Sequence, residues 1–311
     1  MLQKKKKGRL GIGIEAGCGA KIVIMSNISI FAKRAFLNVD PGQDFQYKGK
    51  PARRGHLLRV SSMIRADQVA EYLGAKLNPK RGYKNDVCIY VKPHVKSGGD
   101  FKFEGKRSYL DIIDGWALLP ILGKHLEVSI IACSKQDYLN LSNIMPNKVV
   151  FIPQHHCNFE RVKRPSSVIK TVGVIGTSGA FDFLPIGLRE ALMERDISLL
   201  EYSKFFSRQD IIDFYKQIDI QMVWRPYQMK LSNPLKIVNA ASFGIPTIAL
   251  DEETFKEMKG CYLPVKTLDE FLETLDDLKT YPSLYELASE RCLIKAEEYH
   301  IENIAKLYEQ L

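Results

Sequence analysis

The feature that most constrains the fold is the regular alternation of short apolar segments with amphipathic ones between residues 171 and 265. Apolar segments short enough for buried strands lie at 171–176, 197–203, 219–224, 246–250 and 261–265. Helical patterns lie between and after them, at 208–217, 234–243, 252–259 and 267–311. Strands separated by helices are typical of a parallel sheet covered by helices on both faces. The second half is therefore predicted to be a doubly wound α/β domain.

The first half alternates in the same way, although less regularly. Buried strands are predicted at 21–30, 56–62, 86–92, 109–114, 128–134 and 149–153, and a helix at 66–77. The polar stretch 38–55 is predicted to be a long loop. A second polar stretch, 158–167, has the composition of a linker. Since 311 residues suit two domains, we expect an α/β protein with domains at 1–162 and 163–290.

Composition excludes several classes of protein. Hydrophobic residues make up 45% of the chain, but no run reaches the roughly 18 consecutive apolar residues of a membrane span. The basic run Lys4–Lys7 lacks the apolar block of a secretory signal. The six cysteines are scattered without a C-x-x-C pair, which indicates reduced thiols in a cytoplasmic protein.

Charge is distributed unevenly between the two halves. Residues 1–150 carry 26 Lys and Arg against 12 Asp and Glu, whereas residues 151–311 carry 19 against 24. The first half therefore has a balance of +14 and the second a balance of −5. Such a basic half favours an anionic acceptor or a membrane surface as partner, with nucleic acid as the alternative.

Three loops of the second half follow the carboxyl ends of predicted strands, where parallel sheets bind ligands. Their small, polar and basic residues are Gly176, Thr177, Ser178, Lys204, Arg208, Ser232, Asn233 and Lys236. The last three lie at the start of a predicted helix, whose free N–H groups attract anions. The sequence therefore predicts a nucleotide-diphosphate site. The alternative is that Ser232 or Asn233 only caps the helix.

The run 226–248, which contains SNPLKIVNAASFGIPTI, resembles the donor-site segment of GT-B glycosyltransferases. The segments VGVIGT, IACSKQDYLNL and VVFIPQHHCNFE are similar to other parts of that fold. The resemblance implies two Rossmann-like parallel-sheet domains facing a cleft, with 291–311 packing back towards the first domain. It also implies a nucleotide-sugar donor in the second domain, an acceptor in the first, and transfer without a cofactor or an obligatory metal.

This chain departs from the family at one pair of positions. Many retaining members carry two glutamates eight positions apart around the donor helix, and here Leu231 and Asn239 occupy those positions. Asn239 is therefore expected in the donor site, with one amide oxygen where a carboxylate would accept two hydrogen bonds from the ribose.

The acceptor side needs a base in an inverting mechanism. Asp114 and His94 follow predicted strands of the first domain and are the candidates, Asp114 first. The alternative for Asp114 is a turn cap. His155 and His156 are interpreted as hinge packing because adjacent side chains on an extended chain point apart.

The predicted function is metal-independent transfer of a sugar to a hydroxyl of a polysaccharide or lipid-linked glycan, by a cytoplasmic protein that is peripheral to the membrane if the acceptor is lipid-linked. Two alternatives remain open. One is a glycosyltransferase that modifies a DNA base, for which the basic first half would bind the duplex. The other is a GT-B-like module that binds a nucleotide or glycan without catalysis, which the missing glutamates favour.

Overall fold

The computed structural model describes residues 27–32, 45–47, 50–52, 60–93, 95, 99–113, 115–164, 168–203, 207–226 and 231–311. These residues form two parallel sheets with helices packed on them, which confirms the predicted α/β class. No helix within the described ranges has the length and apolar character needed to cross a membrane.

The first sheet has six parallel strands. They are β1 (Ile28–Ala32), β4 (Lys76–Leu77), β5 (Val87–Val91), β6 (Arg107–Asp111), β7 (Ser129–Ala132) and β8 (Val149–Phe151). Their order is β4-β1-β5-β6-β7-β8. All five residues of β5 are buried, as expected for a parallel strand covered on both faces. Inside the predicted loop 38–55 lies an antiparallel hairpin, β2 (Phe45–Tyr47) and β3 (Lys50–Ala52), so that stretch is not wholly irregular.

The segment after the hairpin differs from the prediction. Residues 60–62, predicted as the end of a strand, form the helical turn α1 (Val60–Ser62), which continues into a π-helical turn (Met63–Gln68) and α2 (Val69–Leu73). The residues that bury against the first sheet are Ala66, Val69, Ala70 and Leu73. Their helical spacing, and not the apolar content of the short segment, decides the structure. The helix ends at Gly74 in the left-handed region (φ +63°), before residue 77 where we predicted its end.

The second sheet has five parallel strands. They are β9 (Thr171–Ile175), β10 (Ser198–Tyr202), β11 (Ile220–Val223), β12 (Thr247–Leu250) and β13 (Tyr262–Val265). Their order, β10-β9-β11-β12-β13, reverses direction between β9 and β11. Ligands of parallel sheets bind outside the carboxyl ends of the strands at such a switch point. The loops that follow β9 and β11 therefore flank the expected binding crevice.

Helices cover both sheets and close the chain. Their bounds are α3 (Leu119–Leu122), α4 (Lys135–Ile144), α5 (Leu188–Glu194), α6 (Arg208–Tyr215), α7 (Leu235–Ser242), α8 (Leu268–Thr280), α9 (Pro282–Ala296) and α10 (Ile301–Glu309). The last helix, α10, packs against α2, and its buried residues join the core of the first sheet. The chain thus returns to the first domain after it completes the second.

A buried ion pair stands where α10 meets the first sheet. Arg65 Nε lies 2.7 Å from Asp111 Oδ2, and both side chains are almost fully excluded from solvent. Arg65 also donates to the carbonyl oxygens of Ile152 and Pro153, and its guanidinium lies 5.6 Å from the Tyr308 ring. The pair therefore joins the π-helical turn to the ends of β6 and β8, with Tyr308 of α10 beside the guanidinium. Loss of either partner would leave a buried charge unpaired.

The segment 154–158, which leads from the first domain towards the second, is buried and hydrogen-bonded. His155 bonds to the backbone oxygens of Ile64 and His156, and Asn158 donates to the carbonyl oxygens of Val162 and Ser242. Burial lowers the pKa of His155 to about 4 and that of His156 to about 3, so both rings are neutral at physiological pH. The two histidines therefore pack as a structural hinge.

Candidate functional site

A cleft of about 490 Å³ lies between the carboxyl ends of the two sheets. Its first-domain wall comes from the helical turns at 60–68 and from residues that follow strands, and its second-domain wall from the end of β11, the start of α7 and the 3-10 turn after β12. Those of the first domain are Ser61, Ile64, Lys92, Ile113 and Gln154; those of the second are Val223, Trp224, Arg225, Leu231, Ser232, Asn233, Leu235, Lys236 and Phe255. A smaller cavity of about 140 Å³ adjoins it and shares Ile64, Leu235 and Lys236.

Helix α7 begins in this cleft, and the polar side chains just before it form hydrogen bonds within the protein. Asn233 Oδ1 accepts a hydrogen bond of 3.1 Å from the Leu235 backbone N–H, and Pro234 precedes the first helical residue. Ser232 is buried, and its hydroxyl accepts a bond of 2.7 Å from Arg225. Asn233 therefore caps the helix start, while Ser232 anchors the loop to Arg225.

Lys236 brings to the cleft a positive charge that makes no direct ion pair among the described residues. Its side chain reaches solvent through the open cleft although protein surrounds it on most sides, and no group in the described part of the chain forms an ion pair or hydrogen bond with its ammonium. Burial, and then the nearby Arg225 cation, lowers the pKa of Lys236 to about 8 against the opposing effect of the Glu252 carboxylate. Because its cationic form is poorly stabilised here, a bound anion would restore what the protein does not supply.

The loop after β9 meets Lys236 directly. A Cβ placed on Gly176 would lie 3.5 Å from Lys236 Nζ and 3.0 Å from the Ala180 side chain. A side chain here would press on Ala180 and would touch the ammonium only at ordinary contact distance, so Gly176 passes directly beside Lys236. The Gly176 N–H is not free for a ligand, because it bonds to the Tyr202 carbonyl oxygen at 3.1 Å.

The rest of this loop is partly described. Thr177 is exposed, and its carbonyl oxygen accepts a 2.8 Å bond from the Ala180 N–H as a 3-10 turn (Ser178–Phe183) begins. The backbone of Ser178 lies in that turn, and its side chain is outside the described residues. The loop thus places small residues beside Lys236 and contributes no described side-chain ligand.

Arg208 lies at the edge of the smaller cavity with its charge already paired. It makes two bonds to the Glu160 carboxylate, at 2.8 and 2.7 Å, and a third to the Cys157 carbonyl oxygen at 2.9 Å. Its guanidinium also stacks 4.4 Å from the Phe159 ring. Arg208 therefore holds the interdomain segment to α6, and only its flank faces the cavity.

Asn239 lies one helical turn beyond Lys236 and is buried. Its Oδ1 accepts a hydrogen bond of 2.9 Å from the Cys157 backbone N–H, and the residue lines the smaller cavity. The amide oxygen that would replace a ribose-binding carboxylate is thus used to attach α7 to the segment between the domains.

Three predicted site residues, His94, Asp114 and Lys204, lie outside the described residues. Their neighbours Lys92 and Ile113 line the cleft, and both have left-handed backbone, with φ of +40° and +37°. A β-branched residue rarely adopts this conformation, and such strained residues concentrate at functional sites. The strand ends that precede the two candidate bases therefore face the cleft.

Two features of the cleft were missed by the sequence analysis. One is the ion pair between Arg225 Nε and Glu252 Oε1, 3.0 Å apart, which fixes Arg225 beside Ser232. The other is Gln154, which is buried and whose Oε1 has no hydrogen-bond partner among the described residues. Arg225 and Gln154 each directly follow a predicted strand, and this position in the sequence could have identified them as cleft residues.

A pair of carboxylates connects the two domains next to the Ser232 loop. Glu257 of the second domain accepts a 2.6 Å bond from the Lys135 N–H at the start of α4. In return, Asp137 on α4 accepts a bond from the Ser232 backbone. Burial raises the pKa of Asp137 to about 6 and that of Glu257 to about 7, and in Glu257 the Asp137 charge adds to the effect. Each domain therefore supplies a carboxylate to a backbone N–H of the other.

The comparisons with known proteins rest on structure. No protein-family model and no curated protein sequence matches the chain. HepE from Anabaena, solved with UDP and glucose, matches with a TM-score of 0.54 and 10% identity over 92% of this chain and 98% of HepE. Sucrose-phosphate synthase from Thermosynechococcus elongatus matches with 0.52 and 11%, over 91% and 88%. TarM matches with 0.53 and 11%, over 71% of this chain and 53% of TarM.

The likeness extends over both domains. HepE and sucrose-phosphate synthase each align with more than nine tenths of this chain, so the match includes both parallel sheets and the helices that follow them. At identities of 10–11% such a match establishes architecture and leaves the site residues to be argued from geometry. The chain therefore has the GT-B fold of these glycosyltransferases, with two parallel-sheet α/β domains facing a cleft.

Proposed function

We propose that the protein is a glycosyltransferase that binds a nucleotide-sugar in the interdomain cleft and transfers the sugar to a hydroxyl group. The observation that carries this proposal is the unpaired ammonium of Lys236, held over Gly176 at the switch point of the second sheet. A cation without a protein partner in a cleft of about 490 Å³ is suited to a diphosphate.

The start of α7 strengthens the case for a diphosphate. The first N–H groups of a helix have no intrahelical partner, and Asn233 satisfies only that of Leu235. The backbone N–H groups of Lys236 and Ile237 remain at the positive end of the helix dipole. Lys236 and this helix end would stabilise the negative charge that develops on the leaving diphosphate, which supports transfer without a metal.

The first-domain wall is proposed to bind the acceptor. Gln154 presents a buried amide oxygen that can accept a hydrogen bond from an acceptor hydroxyl, and Lys92 adds a positive charge to this wall. Asp114 and His94 remain the proposed bases, Asp114 first. This chemistry fits an anionic polysaccharide or lipid-linked glycan as acceptor.

A second candidate is a module that binds a nucleotide or glycan without transfer. The observation in its favour is Asn239, whose single side-chain oxygen accepts the Cys157 backbone N–H and is therefore not available to a ribose. A protein of this kind would bind the diphosphate through Lys236 and leave the donor intact.

A thermal-shift screen of UDP-, GDP-, ADP-, CMP- and dTDP-linked sugars tests the donor site. A ligand present at about 100 times its Kd stabilises the folded state by about 2.7 kcal/mol. We expect one nucleotide class to stabilise the protein, and Lys236→Met to weaken its binding at least tenfold. Lys216→Met, at the end of α6, is the matched control. The proposal is wrong if no nucleotide-sugar stabilises the protein.

Donor turnover then separates the two candidates. Release of free sugar or its transfer to an added acceptor, lost in Lys236→Met, supports the transferase. Binding with an intact donor over many hours, with every acceptor tried, supports the binding module.

The partner proposed for the basic first domain is tested with defined probes. Flotation with vesicles that contain anionic lipid, compared with salt-dependent binding to duplex DNA, distinguishes a membrane-linked acceptor from a nucleic acid. Tight DNA binding without vesicle binding would replace the glycan acceptor with a DNA base.

A further inference from the structure

Two cysteines touch each other in the core of the second domain, away from the cleft. Cys261 directly precedes β13, and Cys292 lies in the middle of α9. The Cys292 Sγ donates to the Cys261 carbonyl oxygen at 3.4 Å, and the Cys261 Sγ lies 3.5 Å from the Arg291 carbonyl oxygen. Each thiol therefore lies against the backbone at or next to the other cysteine.

The two thiols differ in access to solvent. Cys261 lines a cavity of about 250 Å³ together with Arg291, Asp277 and Thr274, whereas Cys292 is fully buried behind it. A small oxidant that enters this cavity meets Cys261 first. Cys292 is placed where a second, resolving thiol is needed.

Their acidity differs in the same direction. The adjoining Cys292 thiol, aided by Lys295 and Arg291, lowers the pKa of Cys261 against the effects of burial and of Glu298. The pKa of Cys292 is raised well above its ordinary value, first because of the Cys261 thiol and then because of burial. The other thiols in the described ranges, those of Cys88, Cys133 and Cys157, all have raised pKa values because of burial.

We propose that Cys261 and Cys292 form a redox-active dithiol that hydrogen peroxide converts to a disulfide. The Cys261 thiol loses its proton, and the thiolate attacks one peroxide oxygen as the O–O bond breaks. Cys261 becomes a sulfenic acid, and the departing hydroxide takes up the released proton to form the first water. The Cys292 sulfur then attacks the Cys261 sulfur, forms the S–S bond and expels the hydroxyl group. That group takes the Cys292 proton and leaves as water. Two thiols lose two electrons, and one peroxide becomes two waters.

The bond would form in the core that supports α7. Helix α9 packs directly against α7, and Cys292 shares a hydrophobic cluster with Ile237, Val238 and Ala241. A disulfide would fix the start of β13 to the helix on which α7 rests. This inference does not depend on the proposed glycosyl transfer.

The experiment is oxidation of the full chain by hydrogen peroxide, followed by non-reducing peptide mapping. The Cys18→Ser background removes the cysteine outside the described residues. We expect a single linkage between the peptides that contain Cys261 and Cys292, a mass loss of two hydrogens, and full reversal by dithiothreitol. Absence of this linkage at peroxide levels that oxidise free cysteine would overturn the proposal.

Two single variants test the roles of the thiols. Cys292→Ser should trap a sulfenic acid on Cys261 that dimedone labels, and Cys261→Ser should show no labelling at Cys292. Labelling of Cys292 in the second variant contradicts the assignment. If Cys261→Ser does not fold, iodoacetamide rates in the wild type decide the matter, because Cys261 must react faster than Cys88, Cys133 and Cys157.

Discussion

Lys236 combines two properties that a core or surface lysine does not combine. Its ammonium has no partner among the described residues, yet the surrounding protein and Arg225 make the charged form costly. Such a group takes up a proton when an anion arrives, because the anion raises the pKa of the lysine. Binding of a diphosphate and protonation of Lys236 should therefore be linked.

The linked protonation predicts how nucleotide affinity depends on pH. The pKa of Lys236 is about 8 in the free protein and higher in the complex, so affinity is complete below pH 8 and falls as pH rises above it. We expect a decrease of up to about tenfold per pH unit above pH 8 in titrations with UDP or the nucleotide found by the screen. Lys236→Met should bind weakly with a flat profile. An equally steep profile in that variant would contradict the prediction.

Asn239 is predicted to matter for stability as well as for the site. Asn239→Leu removes the oxygen that accepts the Cys157 N–H and leaves this buried donor unpaired. We expect the free energy of unfolding, measured with urea, to fall by about 1–3 kcal/mol. The exposed residue Asn140 on α4 gives the matched control, Asn140→Leu, which should change stability much less. Equal effects of both substitutions would refute the structural role.

At the scale of elements, α7 is the helix that both sequence and structure identify as central. Its prediction at 234–243 agrees with Leu235–Ser242 because the apolar spacing and Gly244 specify both face and end. The strand predicted at 56–62 was wrong over residues 60–62, the part that the structure describes, because a short apolar segment fits a helix or a strand until its packing is known. The packing of Ala66 and Val69 on the first sheet decided it.

Gly244, just after α7, and Gly260, two residues before β13, form a matched pair of glycines. Gly244 and Gly260 both have left-handed backbone, with φ of +74° and +88°. A Cβ at Gly244 would lie 2.7 Å from Ser289 Oγ on α9, whereas none of the described atoms lies within 4 Å of a Cβ at Gly260. Gly260→Ala should lower the free energy of unfolding by about 1–2 kcal/mol through backbone strain alone. Gly244→Ala should cost about 1–3 kcal/mol more. Equal losses in the free energy of unfolding for the two substitutions would contradict this prediction, because α9 would then accommodate the added methyl group without a cost in stability.

For the whole molecule, the important contact is the exchange of carboxylates between the domains. Asp137 binds the Ser232 loop, and Glu257 binds the start of α4 at Lys135. Each carboxylate has one buried oxygen without a hydrogen-bond partner among the described residues. Lys135 and Lys295 are the cations that act on Glu257, and they do not offset its burial. The contact is therefore more stable when these carboxyls are protonated.

This arrangement predicts that stability depends on pH. Raised pKa values mean that the folded protein holds protons that the unfolded chain releases, so stability is greatest below about pH 4 for these groups and falls as pH rises to about 7. Glu257→Gln keeps an oxygen for the Lys135 N–H and removes the charge. At pH 8 it should be about 1–2 kcal/mol more stable than wild type by urea unfolding, and the gain should shrink at pH 5. The control is Glu253→Gln, on the same short helix; a gain independent of pH would contradict the assignment.

The sequence by itself determined the α/β class, most strands of both sheets and the position of α7. These follow from local periodicity and from glycine and proline signals, which act between neighbouring residues. The tertiary structure alone decided which polar groups remain available to a ligand. Asn239, Arg208 and the Gly176 N–H have distant partners, whereas Lys236 has none among the described residues. Hydrogen bonds between residues far apart in the chain leave no periodic signal, so the free cation in the cleft becomes visible only after the chain has folded.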